Sequence, residues 1–365
     1  MHIGPGMTLQ ALHTLSPDRF DTAPILKRLN TASRSLAELK GVAASIPNQA
    51  ILINTLTLQE ARDSSAIENI VTTQDDLYRE DDPATASGSA IKEVLRYRQA
   101  LQAGFERVSS TGLLTLNTLL DVQQQLESNR AGLRKLPGTA LRDNAGRLVY
   151  EPPQDAREVA RLMGELERFI HDEPPFQADP LVKMALVHHQ FESIHPFYDG
   201  NGRTGRILNV LYLVKEGLLD IPVLYLSRHI VRTKPDYYRL LQAVRDEDCW
   251  EEWVLYMLDA VANTARETID TVVAIRELLL TIKQQVRSGH KFYSQDLINN
   301  LFNHPYTRVE FVQRELGVSR ITATKYLDAL AADKVLDKVR VGRNNYYINR
   351  RLFELLQRND PNNEA

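Results

Sequence analysis

The sequence predicts an all-α protein with two small β exceptions. Apolar residues recur at helical spacing over most of the chain. Strand-like alternation is confined to two short stretches, residues 139–150 and 335–348. The breakers Gly and Pro gather at a few boundaries, most densely between residues 130 and 153. A chain of 365 residues can hold two or three domains. Its 43% hydrophobic and 25% charged residues are ordinary for a soluble globular protein, and a net charge of −3 selects no class of partner. The single cysteine, Cys249, excludes an intrachain disulfide and fits a reducing, cytoplasmic setting. Residues 1–6 lack the basic and apolar regions of a signal peptide. The most apolar window, residues 207–226, is interrupted by Lys215, Glu216 and Asp220, so no membrane span is expected.

Residues 1–23 show no clear periodicity and read as an extended arm. A helix is expected over residues 24–39, ending near Gly41, and another from Pro47 towards Glu60, leading into Ser64-Ser65-Ala66-Ile67-Glu68-Asn69. Ser64 and Glu68 are four apart and share a helix face. Thr73 with Asp76 forms the cap signature of a further short helix, followed by a polar loop at residues 81–89. Residues 90–128 read as two helices. Thr139-Ala140-Leu141 and Leu148-Val149-Tyr150 flank Asp143-Asn144-Ala145-Gly146 and predict a hairpin. Asp179-Pro180 starts a helix that delivers the chain to His195. His188, His189 and Glu192 on that helix lack metal-ligand spacing, and His188 and His189 read as packing residues or as supports for the site. Pro235 opens a helix that holds Tyr237 and Tyr238, and one long helix is expected from Trp250 to about Arg287.

The stretch His195-Pro196-Phe197-Tyr198-Asp199-Gly200-Asn201-Gly202-Arg203-Thr204-Gly205-Arg206 organises the rest. Pro196 opposes a helical His195, and Gly200 and Gly202 permit a tight turn. From Arg203, Ile207, Leu208, Leu211 and Val214 recur at helical spacing. Amides of a Gly-rich turn therefore meet a helix N-terminus, a ready anion site. Arg203 and Arg206, one turn apart, add charge-assisted donors. Asp199 would repel a phosphate there unless a divalent cation bridged the two, which implies Mg²⁺. His195 is the one side chain of the loop that titrates near neutrality. Base, metal carboxylate, phosphate cradle and cationic clamp together describe phosphoryl or nucleotidyl transfer.

These twelve residues resemble the signature of the Fic family, H-P-F-x-[D/E]-G-N-G-R-x-x-R, at every fixed position. Ser64 to Asn69 resembles the family's inhibitory motif, [S/T]-x-x-x-E-[G/N], placed upstream as in the subgroup with an N-terminal inhibitory helix. The resemblance covers about residues 20–288 and implies a Fic-type helical core with a β-hairpin flap, residues 90–288, behind an N-terminal helical region, residues 1–89. It implies protein adenylylation: AMP passes from ATP to a Ser, Thr or Tyr hydroxyl of a target protein held at the flap by β-augmentation. His195 would be the base and Asp199 the Mg²⁺ ligand. Gly200, Asn201, Gly202, Arg203, Thr204, Gly205 and Arg206 would bind the ATP phosphates, Tyr237 and Tyr238 would border the adenine, and Glu68, with Ser64, would inhibit by pairing with Arg206. Arg245 stands where the family can carry an asparagine near the base, a departure from the pattern. Removal of AMP, or transfer of another phosphate-bearing group, is the alternative within the enzyme class.

Residues 289–365 read as a separate module. A helix at 307–316, the turn Gly317-Val318-Ser319 and a helix at 320–333 make a helix–turn–helix, with Ser319 as cap. Alternation at 335–348 around Gly342-Arg343-Asn344-Asn345 suggests a two-stranded wing, and the whole resembles a winged helix. Residues 289–358 hold twelve Lys and Arg against seven Asp and Glu, a net charge of +5. Arg320, Thr322, Thr324 and Lys325 on the second helix could read a major groove, which makes the chain a candidate DNA-binding regulator with a sensory core. Docking to a protein or forming a homodimer is the other use of such a module.

Overall fold

The computed structural model describes residues 9–80, 83–84, 86–143, 145–341 and 344–358. The readings for residues 1–6, Asp81, Asp82, Asn144, Gly342 and Arg343 lie outside them.

Among the described residues the order begins with α1 (Ala23–Ala44), α2 (Ala50–Ile67), α3 (Gln74–Arg79), α4 (Ser89–Thr111) and α5 (Leu116–Glu127). A hairpin of β1 (Leu141–Arg142) and β2 (Leu148–Tyr150) follows, then α6 (Ala156–Ile170), α7 (Pro180–Ile194), α8 (Asn201–Lys215), α9 (Leu226–Arg232), α10 (Lys234–Glu247) and α11 (Trp250–Gly289). The C-terminal module consists of α12 (Gln295–Asn303), β3 (Tyr306–Thr307), α13 (Val309–Leu316), α14 (Arg320–Ala332), β4 (Asp337–Val341), β5 (Asn344–Ile348) and α15 (Arg350–Gln357). Its sheet has the order β3-β5-β4, all antiparallel, and the chain passes through it as helix–strand–helix–helix–hairpin.

Local chemistry explains most boundaries. Thr22 caps α1 by accepting the Ile25 amide, Thr73 caps α3 through Asp76, and Ser319 caps α14 through Thr322. Two readings need correction. α1 runs through Gly41, a residue with open space around it. The cost of a mid-helix glycine, about 1 kcal/mol, is outweighed by burial of Ile25, Ala32, Leu36, Leu39 and Ala43, on a helix that packs along α11. The N-terminal segment is not an extended arm from residue 9 onwards. Short 3₁₀ turns at Leu12–Thr14 and Pro17–Phe20 bury Leu12, Leu15 and Phe20. Phe20 meets Phe176 and Trp250 at ring separations of 6.4 and 6.5 Å, an anchor with no periodic signature in sequence.

α2, α7 and α8 are buried almost all round, so each must pair its own polar groups inside the core. On α2, Glu60 accepts from Tyr97 Oη at 3.0 Å and from the Ser227 hydroxyl, and Arg62 pairs with Asp63 at 2.7 Å. The C-terminal module closes over the same helix. Gln59 Nε2 donates to the Leu356 carbonyl at 2.7 Å, Tyr78 after α2 stacks on Tyr306 and meets Phe353 edge-on, and the Tyr306 hydroxyl donates to Asp75. One apolar cluster therefore runs from Leu12 to Leu356. The 40 residues of α11, a rod about 60 Å long, run from the helical core to that module.

Candidate active site

α7 ends on His195, whose backbone is left-handed at φ 49° and ψ 59° while its N–H still donates to Phe191 O. The loop is then braced by Asn201, whose side chain accepts the Phe197 N–H at 2.8 Å and donates to Phe197 O at 2.9 Å. Asn201 is thereby fixed in the loop, with both ends of its side-chain amide on Phe197. Gly200 enters α8 at φ 78°, a conformation that favours glycine. The first backbone N–H bonded within α8 is that of Thr204, to Gly200 O. The amides of Asn201, Gly202 and Arg203 are left as the positive end of the helix. Asp199 is exposed beside them, and one of its oxygens accepts the Gly200 N–H.

Both signature arginines are already engaged. Arg203 donates to Glu93 on α4 at 3.1 Å and to Glu127 at the end of α5 at 2.8 Å. Arg206, 1% exposed, donates through Nε to Ser64 Oγ at 2.7 Å. Its Nη2 donates to Ser64 O at 3.0 Å and to Glu68 Oε1 at 2.8 Å. A β-carbon on Gly202 would lie 2.5 Å from Glu68 Oε1, so this carboxylate rests against the first turn of α8. Burial pushes the Glu68 carboxyl up, but Arg206, Arg203 and Lys234 outweigh it and leave its pKa below the usual range. Lys234 caps this end of α2 by donating to Ile67 O at 2.6 Å.

Electrostatics set the protonation of His195. Burial, then the charges of Arg245 and Arg134, lower the His195 pKa to about 4, so the imidazole is uncharged at neutral pH. Its Nδ1 is buried and has no hydrogen-bond partner among the described residues. Glu192, one turn earlier, is raised to about 7 chiefly by burial, and its Oε1, against Gly205, is unpartnered among the described residues.

Other predicted residues take different places. Thr204 is fully buried, and Gly205 packs on Phe191 and Glu192 while its carbonyl meets His188 Nδ1 at 3.1 Å. Tyr237 is 1% exposed, with its hydroxyl 2.9 Å from His188 Nε2, so it is a core residue that fixes His188. Tyr238 alone of the pair keeps a face to solvent, 46% exposed, within the field of Glu68 and Arg206. His188 and His189 sit against Trp253 and Trp250 as packing groups. Arg245 stacks 4.0 Å above the Tyr150 ring and donates to Ser193 Oγ at 3.0 Å, while Tyr150 Oη donates to Ser193 O at 2.9 Å. It ties the hairpin to α7 beside His195. Glu93, Glu127, Arg134 and Lys234 were not foreseen, because each reaches the site from a distant helix or loop with no local motif.

No group of three or more metal-ligating side chains occurs among the described residues. Mg²⁺ needs no such cage when substrate phosphates complete its shell, and one exposed carboxylate beside an amide nest suits that arrangement. No helix among the described residues is long and apolar enough to cross a membrane.

Comparison with known proteins yields one family. Residues 26–106 match the Fic/DOC family N-terminal model and residues 113–213 the Fic/DOC family model. Residues 278–352 match the model of the C-terminal domain of SoFic-like protein adenylyltransferases. The "Protein adenylyltransferase Fic" of Aedes aegypti is 24% identical over 157 residues, 43% of this chain and 30% of that protein. The "Protein adenylyltransferase fic-1" of Caenorhabditis elegans is 31% identical over 115 residues, 30% of this chain and 22% of that protein. The match thus spans less than a third of each of these relatives. Among solved structures, a Fic family protein from Desulfovibrio desulfuricans G20 aligns over 92% of this chain and 98% of its own, with TM-score 0.58 and 22% identity. The Fic-1 protein of C. elegans aligns over 68% of this chain and 74% of its own, with TM-score 0.53 and 20% identity.

Proposed function

We propose that this chain, which belongs to the Fic/DOC family, transfers AMP from ATP to a hydroxyl side chain of a target protein and is held off at rest by Glu68. One observation carries the reading: Arg206 is clamped between Ser64 and Glu68 above the amides that would receive a phosphate. A carboxylate there occupies the cation and adds negative charge where the γ-phosphate would sit.

With Glu68 withdrawn, the amides of Asn201, Gly202 and Arg203 and the Arg206 guanidinium would hold the phosphates. Mg²⁺ held by Asp199 would neutralise charge on the polyphosphate. The target hydroxyl oxygen forms a bond to the α-phosphorus, the bond to the bridging oxygen breaks, and pyrophosphate leaves. His195, uncharged at neutral pH, accepts the hydroxyl proton. Fixed donors aimed at the developing charge supply the largest part of such catalysis. Tyr238, rather than Tyr237, has a free face for the adenine. Leu148 and Val149 on β2 are 56% and 43% exposed, which supports docking of an extended target segment along the hairpin.

The test uses ATP labelled in its α-phosphate. Glu68→Gly should raise covalent labelling of the protein itself and of a target well above wild type, and Glu68→Gly with Arg206→Ala should lose that gain. Equal labelling by wild type and Glu68→Gly across ATP concentrations would refute self-inhibition. If Glu68→Gly instead abolishes removal of AMP from a modified target, Glu68 serves hydrolysis and the opposite reaction is the better reading. For the C-terminal module, Arg320, Ile321 and Lys325 exposed on α14 support contact with DNA.

A further inference from the structure

We propose that Arg134 is a positioning residue for His195, clamping the turn at the base and the end of the hairpin into one unit. The inference rests on the reading of His195 as the base. Arg134 lies outside the signature, in the loop between α5 and β1, yet its side chain is 1% exposed. Among the described residues no carboxylate is paired with it. Its acceptors are main-chain carbonyls instead. Nε donates to His195 O at 2.8 Å, and Nη2 donates to Ile194 O at 3.2 Å and to Pro153 O. Its own backbone N–H donates to Pro196 O at 2.9 Å.

This set brackets the base on both sides. Ile194, His195 and Pro196 are consecutive, and their carbonyls belong to a helix end whose last acceptors have no partner within the helix. A cation at that end also meets the negative pole of α7. The held conformation needs holding: a left-handed backbone on a non-glycine residue such as His195 is strained. Pro153, the remaining acceptor, follows β2, so one planar guanidinium joins the hairpin to the catalytic turn. The segment after Arg134 is fastened to the same loop, since the amides of Lys135 and Leu136 donate to Tyr198 Oη at 2.8 and 3.2 Å. Lysine could not replace the fork, because its donors radiate from a single nitrogen.

The test compares Arg134→Met and Arg134→Lys in the full chain, each made with Glu68→Gly. Two readouts are taken: steady-state AMP transfer at varied ATP, and amide hydrogen exchange of residues 193–199 and of the hairpin. If the base is displaced by about 1 Å, kcat should fall on the order of 10²-fold. The KM for ATP should stay within about threefold, because the amides and arginines of α8 are untouched. Exchange should quicken both at the His195 turn and in the hairpin, with α8 unchanged. Arg134→Lys should recover less than about a tenth of the lost rate. An unchanged kcat, a loss confined to KM, or unaltered exchange in either segment would overturn the proposal. Should Arg134→Met fail to fold, Arg134→Lys is judged by the same criteria. If the Glu68→Gly parent transfers no AMP, the functional reading fails, and the exchange measurement alone decides whether Arg134 couples turn and hairpin.

Discussion

Ser64→Ala should partly release the clamp on Arg206, and the structure sets the size of the effect. Ser64 Oγ accepts from Arg206 Nε at 2.7 Å in a place where both side chains are essentially without water. A hydrogen bond to a charged group contributes about 1.5–3 kcal/mol, and a buried donor stripped of its acceptor loses that stabilisation. Two other bonds remain, to Ser64 O at 3.0 Å and to Glu68 at 2.8 Å, so the arginine is loosened and not freed. Taking the lower bound of 1.5 kcal/mol as the shift between clamped and released states gives about a tenfold rise in the released population. Initial rates of labelling from α-labelled ATP should therefore rise about tenfold, below the rise produced by Glu68→Gly. The double variant should gain little over Glu68→Gly alone, since both substitutions act on one guanidinium and their effects cannot add. Full additivity, or no rise in Ser64→Ala with the fold intact by thermal melting, would refute the idea that Ser64 and Glu68 grip a single cation.

Four further outcomes follow from the same geometry. His195→Ala should lower AMP transfer by about 10²–10⁴-fold with ATP affinity retained, and wild-type turnover would remove His195 from the mechanism. Asp199→Asn should abolish most activity together with its Mg²⁺ dependence, which titration of rate against Mg²⁺ will read. The Glu192 carboxyl is raised to about 7 in the folded chain, above its ordinary 4.5, so the native state binds the extra proton and loses stability as pH rises from 4.5 through 7. Glu192→Gln should flatten that part of the melting-temperature profile, and an unchanged slope would assign the pH dependence elsewhere, for instance to Glu60, also raised to about 7 by burial. The full chain should bind duplex DNA with affinity falling steeply in salt, and no retention at low salt would leave α14 as a protein-docking surface.

Much of the site was readable because its chemistry is local. The signature from His195 to Arg206 is one continuous turn and helix entry, so spacing alone brings an imidazole, a carboxylate, amides and cations together. The contact of Ser64 and Glu68 with Arg206 was also foreseen, since the two lie four residues apart at the end of α2 and both meet that guanidinium. What failed was the direction of individual side chains. Consecutive residues on a buried helix cannot all face the same ligand, and Thr204, Gly205 and Tyr237 are spent on packing against α7 and its neighbours. Long-range partners were invisible for a simpler reason. Arg134 is 61 residues from His195 and Glu93 is 110 from Arg203, and no periodicity spans such distances. The fold shows the same division: caps and breakers marked helix ends, whereas Phe20 packs as it does only because Phe176 and Trp250 are waiting.

The closure of the C-terminal module over α2 decides how this protein can be taken apart. Stopping the chain after Gly289 would leave an aromatic face on Tyr78, an orphaned amide on Gln59 and an uncovered flank on the helix that presents Ser64 and Glu68. A shortened protein would therefore report on a wetted, loosened α2, and any activity gained by trimming would be confounded with the activity gained by Glu68→Gly. Limited proteolysis has the same ambiguity. The C-terminal module seals one flank of that helix, and neither part can be assayed as if the other had never been there.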